Sequence, residues 1–434
     1  MSLVAPALIR QIARQVGEEL TDQVDESWSD DDRRMYARNL INRAISGENE
    51  LRLSQGYEPL SQSEVTELST GVANRMFGLG RLQTHIDNPS VTDIHVNGHD
   101  NVKLRWRDGR ITSEAPVAES DEDLVEMIRG QARRTRHEHH WDPASPVLDL
   151  QLPSGDRLNA VAWVSTRPSI SIRRHDFALS RLKELIDLGT INDALHQLLG
   201  AMVRARFNIL VAGGTGAGKT TLLRCLINEI PADERLVTIE DSLEIGVERY
   251  ADLHPNTVEM EARDANIEGS GEVSVHDLVR AGLRMGPDRV IVGEIRGAEV
   301  VPMLLAMSQG NDGSMSTIHA DSTAGVFSRL QTYMAMAPER FDTRTANLMV
   351  ANAVDVIVHI ARRRGDGRRV LTSVRDVTGA DGDLVTSNEV FAPDPQQQAT
   401  PSWRFEDATL HRLEEAGFDR RWLEPAANRW DGLP

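Results

Sequence analysis

The sequence predicts an α/β domain in the C-terminal half, a smaller α+β domain before it and an extra helical segment at the N-terminus. Three observations carry this reading. Between about residues 180 and 360, the apolar runs FNILVA, ERLVTIE, DRVIVGE, SMSTIHA and AVDVIVHIA alternate with helical stretches, the pattern of a parallel sheet covered on both faces. Residues 80–176 alternate apolar and polar side chains, broken by Gly, Asn and Asp, as strands and hairpins do. Residues 1 to about 75 place apolar side chains at three- and four-residue spacing, as amphipathic helices do.

The bulk properties bound the function. A chain of 434 residues is too long for one core and suggests two to three domains. Apolar residues at 40% and charged residues at 26% are ordinary for a globular protein. The net charge of −18 argues against general nucleic-acid binding and against a polybasic membrane anchor. The acids crowd EELTDQVDESWSDDD (18–32), whereas RRTRH (133–137) and ARRRGDGRR (361–369) are locally basic; such runs read as solvated faces. Cys225 is the one cysteine, so an intramolecular disulfide and a cysteine-based zinc cluster are both excluded. No apolar run approaches the ~18 residues that cross a bilayer. The N-terminus lacks a signal peptide's plan, and a cytoplasmic chain is expected.

In chain order, LIRQIARQVGEEL and RRMYARNLINRAI read as helices, and LSQSEVTEL (60–68) offers a serine cap before another. TDIHVNG, KLRWRDGRIT, LNAVAWVS and SISIRRH read as strands, with a helix over DEDLVEMIRGQARRT (121–135). ELIDLGTINDALHQLLGAMVRARF (184–207) is a helical lead-in to the α/β region. RRVLTSVRDV and LVTSNEVF make a short hairpin, APDPQQQATP (392–401) reads as a linker, and the tail holds Trp403, Trp422 and Trp430 in local packing. The expected division is 1–77 helical, 78–180 α+β, 181–390 α/β, and 391–434 linker and tail. RHEHHW (136–141) gathers His137, His139 and His140 but lacks zinc partner spacing, so no metal site is expected there.

The strongest signal is GGTGAGKTT, residues 213–221. Gly213, Gly218, Lys219 and Thr220 satisfy G-x-x-x-x-G-K-[ST], with a strand before and a helix after. Gly213, Gly214, Thr215, Gly216, Ala217 and Gly218 form a loop whose backbone N–H groups can close on phosphate oxygens. Lys219 pairs with the β- and γ-phosphates, Thr220 ligates Mg²⁺, Thr221 continues the first turn, and the helix dipole adds positive potential. A nucleoside triphosphate, ATP with Mg²⁺, is the expected cofactor.

Other strands end in acids. DRVIVGEIRG (288–297) delivers Glu294 to the sheet's carboxyl end, where a carboxylate holds Mg²⁺ or orients water. LVTIEDSLEI (236–245) ends in Glu240, Asp241 and Glu244; either Glu240 or Glu244 can serve as general base. GNDGSMSTIHA (310–320) places His319 at the end of a strand, where an imidazole N–H can report the γ-phosphate to a neighbouring helix.

These four elements, in this order, resemble the type II/type IV secretion ATPase superfamily, and most closely its CpaF-like, tight-adherence pilus branch. GGTGAGKTT resembles the Walker A box, TIEDSLEI the Asp box, RVIVGEIRG the Walker B strand and GNDGSMSTIHA the His box. GLGRLQTHIDNPSVTDIHVNG (78–98), LPSGDRLNAV (152–161) and SISIRRH (169–175) resemble the N-terminal domain and its approach to the hinge. The resemblance covers roughly residues 75–390. It implies an α/β P-loop NTPase (RecA-like) C-terminal domain in a hexameric ring. Nucleotide lies between the two domains, and the ring works at the inner face of the cell membrane on an integral platform protein, with no direct nucleic acid. It carries Lys219 and Thr220 to phosphate and Mg²⁺, Glu294 to the Walker B acid and His319 to the His box. Arg173 and Arg174 match the region that brings arginines toward the phosphates, with Arg167 and Arg157 as weaker candidates.

Two positions depart from the pattern. Asn311 stands where the His box usually opens with histidine, and Gly286 where arginine is usual. The lone Cys225 rules out the four-cysteine zinc element of many type II motors. Set against an ATP-hydrolysing pilus or secretion motor are a nucleotide-regulated scaffold with weak turnover and a DNA-translocating RecA-like motor, which the charge disfavours. The acidic N-terminal helices are the expected docking element for the platform.

Overall fold

Serines three residues ahead of an acid set two of the first three helices. Helix α1 (Pro6–Gln23) is followed by α2 (Asp30–Ser54) and α3 (Gln62–Phe77). Ser29 and Ser61 each accept the N–H of the residue three ahead, Asp32 and Glu64, whose carboxylates accept the serine N–H in return. This reciprocal box satisfies donors that a helix start otherwise leaves without partners. Ile12, Val16, Leu40, Ile41, Ile45, Leu68 and Val72 form the buried core of the three helices. The computed structural model describes residues 6–23, 28–133, 140–174, 179–263, 265, 270–363 and 365–430. It separates two compact units, Met1–His175 and Asp176–Pro434.

The rest of the first unit holds α4 (Leu82–Ile86), β1 (Val91–Asn97), β2 (Val102–Trp106), β3 (Ile111–Glu114), α5 (Asp121–Ala132), β4 (Val147–Gln151), β5 (Arg157–Val161) and β6 (Ser169–Arg173). The strands pair antiparallel in the order β3-β2-β1-β6-β5-β4. Helix α5 buries Leu124 and Ile128 in one core with Ile94, Val96, Leu158 and Ile172. Strand β4, in PVLDLQLP, is an element the sequence reading did not single out. Arg167 is tied into this unit by Asp121, at 2.7 Å to each carboxylate oxygen, and by Asp100 at 2.8 Å. The guanidinium holds the Asp121 carboxyl well below the usual carboxylate range. His137 and His139 lie outside the described residues, and His140 is exposed.

The second unit begins with α6 (Leu182–Asp187), α7 (Asp193–Arg204), β7 (Ile209–Ala212), α8 (Lys219–Ile227), β8 (Leu236–Glu240), β9 (Thr257–Glu261) and α9 (Val275–Gly282). It continues with β10 (Arg289–Ile295), α10 (Val300–Ser308), β11 (Met315–Ile318), α11 (Gly325–Met336), α12 (Thr343–Ala353), β12 (Val356–Arg362), β13 (Arg369–Asp381), β14 (Leu384–Pro393), β15 (Ala399–Pro401) and α13 (Asp407–Glu415). One sheet runs β15-β14-β13-β12-β7-β11-β10-β8-β9. From β12 to β9 every pair is parallel, and β13, β14 and β15 extend it antiparallel. β7 and β11 are buried at every residue, as parallel strands covered on both faces must be. One face packs Leu195, Leu198, Leu222, Leu223 and Leu413 from α7, α8 and α13. The other packs Val279, Leu304, Leu330 and Val350 from α9 to α12.

Two stretches differ from expectation. The short hairpin is a long one, because β13 and β14 continue the large sheet. Residues 392–401, read as a linker, close β14, turn at Gln397 (φ 64°) and pair β15 with β14. Of the three prolines that suggest a linker, Pro393 and Pro401 lie in β14 and β15: at a sheet edge their missing N–H costs no ladder bond. Strand β9 was also missed, since TVEME is half-exposed at the other edge and lacks a buried strand's apolar run.

The amino ends of the parallel strands are held by polar ties. Arg289, fully buried, donates to both oxygens of Glu234 at 2.7 and 2.8 Å and to Val203 O at 2.9 Å. Gly313 takes φ 88°, and a Cβ there would stand 2.5 Å from Arg289 Nη1, so the turn before β11 requires glycine. Asn208 Oδ1 accepts the N–H groups of Gly313 and Ser314 at 3.0 Å, and its Nδ2 donates to Met307 O and Ala353 O at 2.8 Å. Asn311 also acts at this end, donating to Pro287 O at 2.7 Å. Glu234→Ala would strip a buried cation of its carboxylate, and we expect a loss of about 3–5 kcal/mol, measurable by chemical denaturation.

Candidate phosphate-binding site

The site forms at the carboxyl ends of β7, β11, β10 and β8. After Ala212 the chain leaves the sheet; Gly213 N–H donates to Ile318 O at 3.3 Å, and Ala217 N–H to Gly214 O at 3.2 Å. Gly214 and Thr215 form the exposed crest of the loop, with Gly216 half-buried beside them. Gly218 has φ 103°, a conformation free of strain only for glycine, and turns the chain into α8. Lys219, Thr220 and Thr221 make the first turn of α8, where helix N–H groups lack intrahelical acceptors and the dipole is positive.

Three sequence-predicted residues converge here. The Lys219 ammonium, buried among the loop and strand ends, lies 3.5 Å from Glu294 Oε1 and 3.2 Å from His319 Nε2. His319 Nε2 is 3.0 Å from Glu294 Oε1. Burial pushes the Lys219 pKa down, against the pull of Glu294. Burial, followed by the Lys219 charge, pushes His319 below the ordinary imidazole value, so the ring is neutral at pH 7. The network assigns the Nε2–H tautomer, donating to Glu294 while Nδ1, 3.3 Å from Lys219 Nζ, accepts.

Glu240 and Glu244 behave differently. Glu240 is buried, and its carboxyl accepts the N–H of Glu244 at 2.9 Å and of Ile245 at 3.0 Å. Burial raises its pKa to about 8 even against those donors. Glu244 is half-buried, its N–H taken by Glu240 and its O by Arg224, and its charge acts on both Lys219 and Arg296.

Arg296 was missed. Its Nε donates to Glu294 Oε2 at 2.5 Å, and its Nη1 lies 3.3 Å from Asp241 Oδ2. The available signal was adjacency: Arg296 follows the end of β10, two residues after Glu294. Of the arginines suggested by resemblance, Arg174 donates to Asn88 O at 2.6 Å within the first unit, whereas Arg173 is exposed at the end of β6. Arg157 lies 3.9 Å from Asp149. Gly286 takes φ 64°, with open space where a Cβ would stand.

The donor set fits a Mg²⁺-bound triphosphate: a helix N-terminus, a buried ammonium, a hydroxyl at Thr220 and a carboxylate at Glu294. Fold and site thus define a phosphate-loop α/β protein. The family described as "Type II/IV secretion system protein" matches residues 79–389, and the chain belongs to it. A Mycobacterium tuberculosis (strain H37Rv) protein named "Putative conjugal transfer protein" is 36% identical over 331 residues, 74% of this chain and 91% of that one. VirB11 of Agrobacterium fabrum is 31% identical over 312 residues, 65% of this chain and 87% of its own. The solved structure of the Brucella suis VirB11 ATPase in complex with sulphate is 27% identical and covers 68% of this chain and 92% of its own. It superposes at a TM-score of 0.37, so the assignment rests on sequence.

Glu240 generates a pH prediction. Its folded pKa lies near 8, above the 4.5 of the free side chain, so between those values the folded chain keeps a proton that the unfolded chain releases. Stability should fall as pH rises through that window, with a slope of up to about 1.4 kcal/mol per pH unit from this group. Glu240→Gln preserves the acceptor and should remove that slope; denaturant midpoints from pH 5 to 9 would measure it.

Proposed function

We propose that this chain is an ATP-hydrolysing motor powering a type IV secretion or pilus-assembly apparatus, of the tight-adherence type. The observation that carries this reading is the meeting of Lys219, Glu294 and His319 beside the phosphate loop in a chain of a secretion-system family. Bound ATP–Mg²⁺ would supply the transferable phosphoryl group and the charge that polarises it. Gly213, Gly214, Thr215, Gly216, Ala217, Gly218, Lys219, Thr220 and Thr221 are the residues that would hold it.

The chain's own groups have separable tasks. Lys219 is the cation for the outer phosphates. Glu294 is the carboxylate for metal or water, and the neutral His319 links it to Lys219. Of the two Asp-box acids we favour Glu244 as base, because Glu240 is committed to backbone donors and protonated. Arg173 is the arginine we assign to the phosphates, Arg174 being bonded to Asn88.

The remaining proposals follow the family reading: a RecA-like ATPase domain over 181–390, an α+β domain over 78–180 and a homohexameric ring. We place the ring at the cytoplasmic face of the cell membrane on an integral platform protein. Helices over 1–77 dock it there, and no nucleic acid is bound directly. Among the described residues, no helix is long and apolar enough to cross a membrane.

The test is steady-state ATPase activity against protein concentration, with oligomer mass followed in parallel. Turnover per chain should rise as the ring assembles, and Glu294→Gln should lower kcat by at least about 100-fold. A ring without turnover would replace the motor with a nucleotide-regulated scaffold. Arg173→Ala should lower kcat by about 100-fold or more with assembly intact, whereas Arg174→Ala should mainly lower the melting temperature of the first unit.

A further inference from the structure

The basic stretch ARRRGDGRR, set down above as a solvated face, lies beside the phosphate loop. Its described residues end β12, turn and open β13, and the stretch has five arginines to one acid, Asp366. Asp366 pairs with Arg363 and lies 3.7 Å from Arg368. Arg362 and Arg369 stand opposite each other across the two strands, both exposed, with Arg362 Nε donating to Gly367 O at 3.1 Å. Like charges directly opposite in an antiparallel pair are destabilising.

Their position follows from register. Ile360 pairs with Leu371 and Arg362 with Arg369, so all four share one sheet face. Ile360 and Leu371 are buried in the same core as Leu222 and Leu223 of α8. One step toward the carboxyl end of β12, the two arginines therefore emerge next to the first turn of α8. Arg369 Nε donates to Gly216 O at 3.2 Å, and a Cβ built on Gly218 would stand 2.9 Å from Arg369 Cδ.

Strand order then gives the site a direction. β11 and β10, on one side of β7, bring His319 and Glu294 to Lys219; β12 and β13, on the other side, bring Arg362 and Arg369. The first flank suits the reacting end of a triphosphate. We propose that Arg369, with Arg362 opposite, is a cationic subsite for the other end, the α-phosphate of the nucleotide. A planar guanidinium fork matches phosphate oxygens, and a phosphate between the arginines would relieve their repulsion. The proposal rests on the nucleotide site proposed above and adds a residue that governs affinity rather than chemistry.

The experiment titrates fluorescent ADP and ATP into the full-length protein and its variants, with ATPase kinetics and melting temperature alongside. Arg369→Gln should weaken ADP and ATP alike by about ten-fold, the loss of one charged hydrogen bond. Arg362→Gln should cost about three-fold and Arg369→Lys less than Arg369→Gln. KM for ATP should rise with kcat unchanged. If kcat falls in step, Arg369 only pins the loop that carries Lys219, and the subsite is overturned. It is overturned equally if Arg369→Gln leaves both affinities at the wild-type value while Lys219→Ala abolishes ATP binding. If the wild type binds neither nucleotide, or Lys219→Ala changes nothing, the phosphate-loop reading itself fails and the subsite with it.

Discussion

Asn208 holds the foot of the central strand, and the site at the other end depends on that hold. Its side chain bonds the turn before β11, the end of α10 and the end of α12. Its own N–H donates to Asp355 at 2.8 Å, just before β12. One buried amide thereby aligns the two strands that flank β7. Four residues up β7 lies the phosphate loop; at the matching end of β11 lies His319. A slip of one residue in β11 would turn His319 to the opposite face, so the polar ties at the foot set the distances at the top.

At the top, charges balance in a confined space. Lys219 is too buried to stand alone, and Glu294 compensates it; Arg296 and His319 occupy the rest of that carboxylate. Each group is satisfied by a neighbour that a polyanionic ligand would displace or share. Buried charges are retained where they are paired. Glu240 sits at the next strand end without a cation and keeps its proton instead. Of two carboxylates at similar strand positions, Glu294 faces an ammonium, whereas at Glu240 burial outweighs the backbone N–H groups it accepts.

The C-terminal residues beyond the family match extend the same core. Phe405, Leu413 and Phe418 pack with α7 and α8, and Arg412 pairs with Asp355, the carboxylate that holds the Asn208 N–H. Asn428 accepts from Asn192, the N-cap of α7, at 2.6 Å. Burial raises Asp376 to about 6 while it accepts the Glu406 N–H and the Thr409 hydroxyl. A tail that reads as linker and locally packed tryptophans is therefore bonded to the strands that carry the site.

The sequence by itself determined the local chemistry. Glycine spacing marks the phosphate loop, and apolar runs ending in acids or histidine mark Glu294 and His319, because strand burial and loop conformation are written in adjacent residues. Five of the parallel strands were legible for the same reason. β4, β9 and β15 were not, since edge or short strands carry no buried run. What only the tertiary structure decided are relations between distant segments: Asn208 to Gly313, Arg296 to Asp241, Arg369 to Gly216, and the separate fates of Glu240 and Glu244. These depend on strand order and register, which arise from packing across the whole sheet and leave no periodicity in the chain.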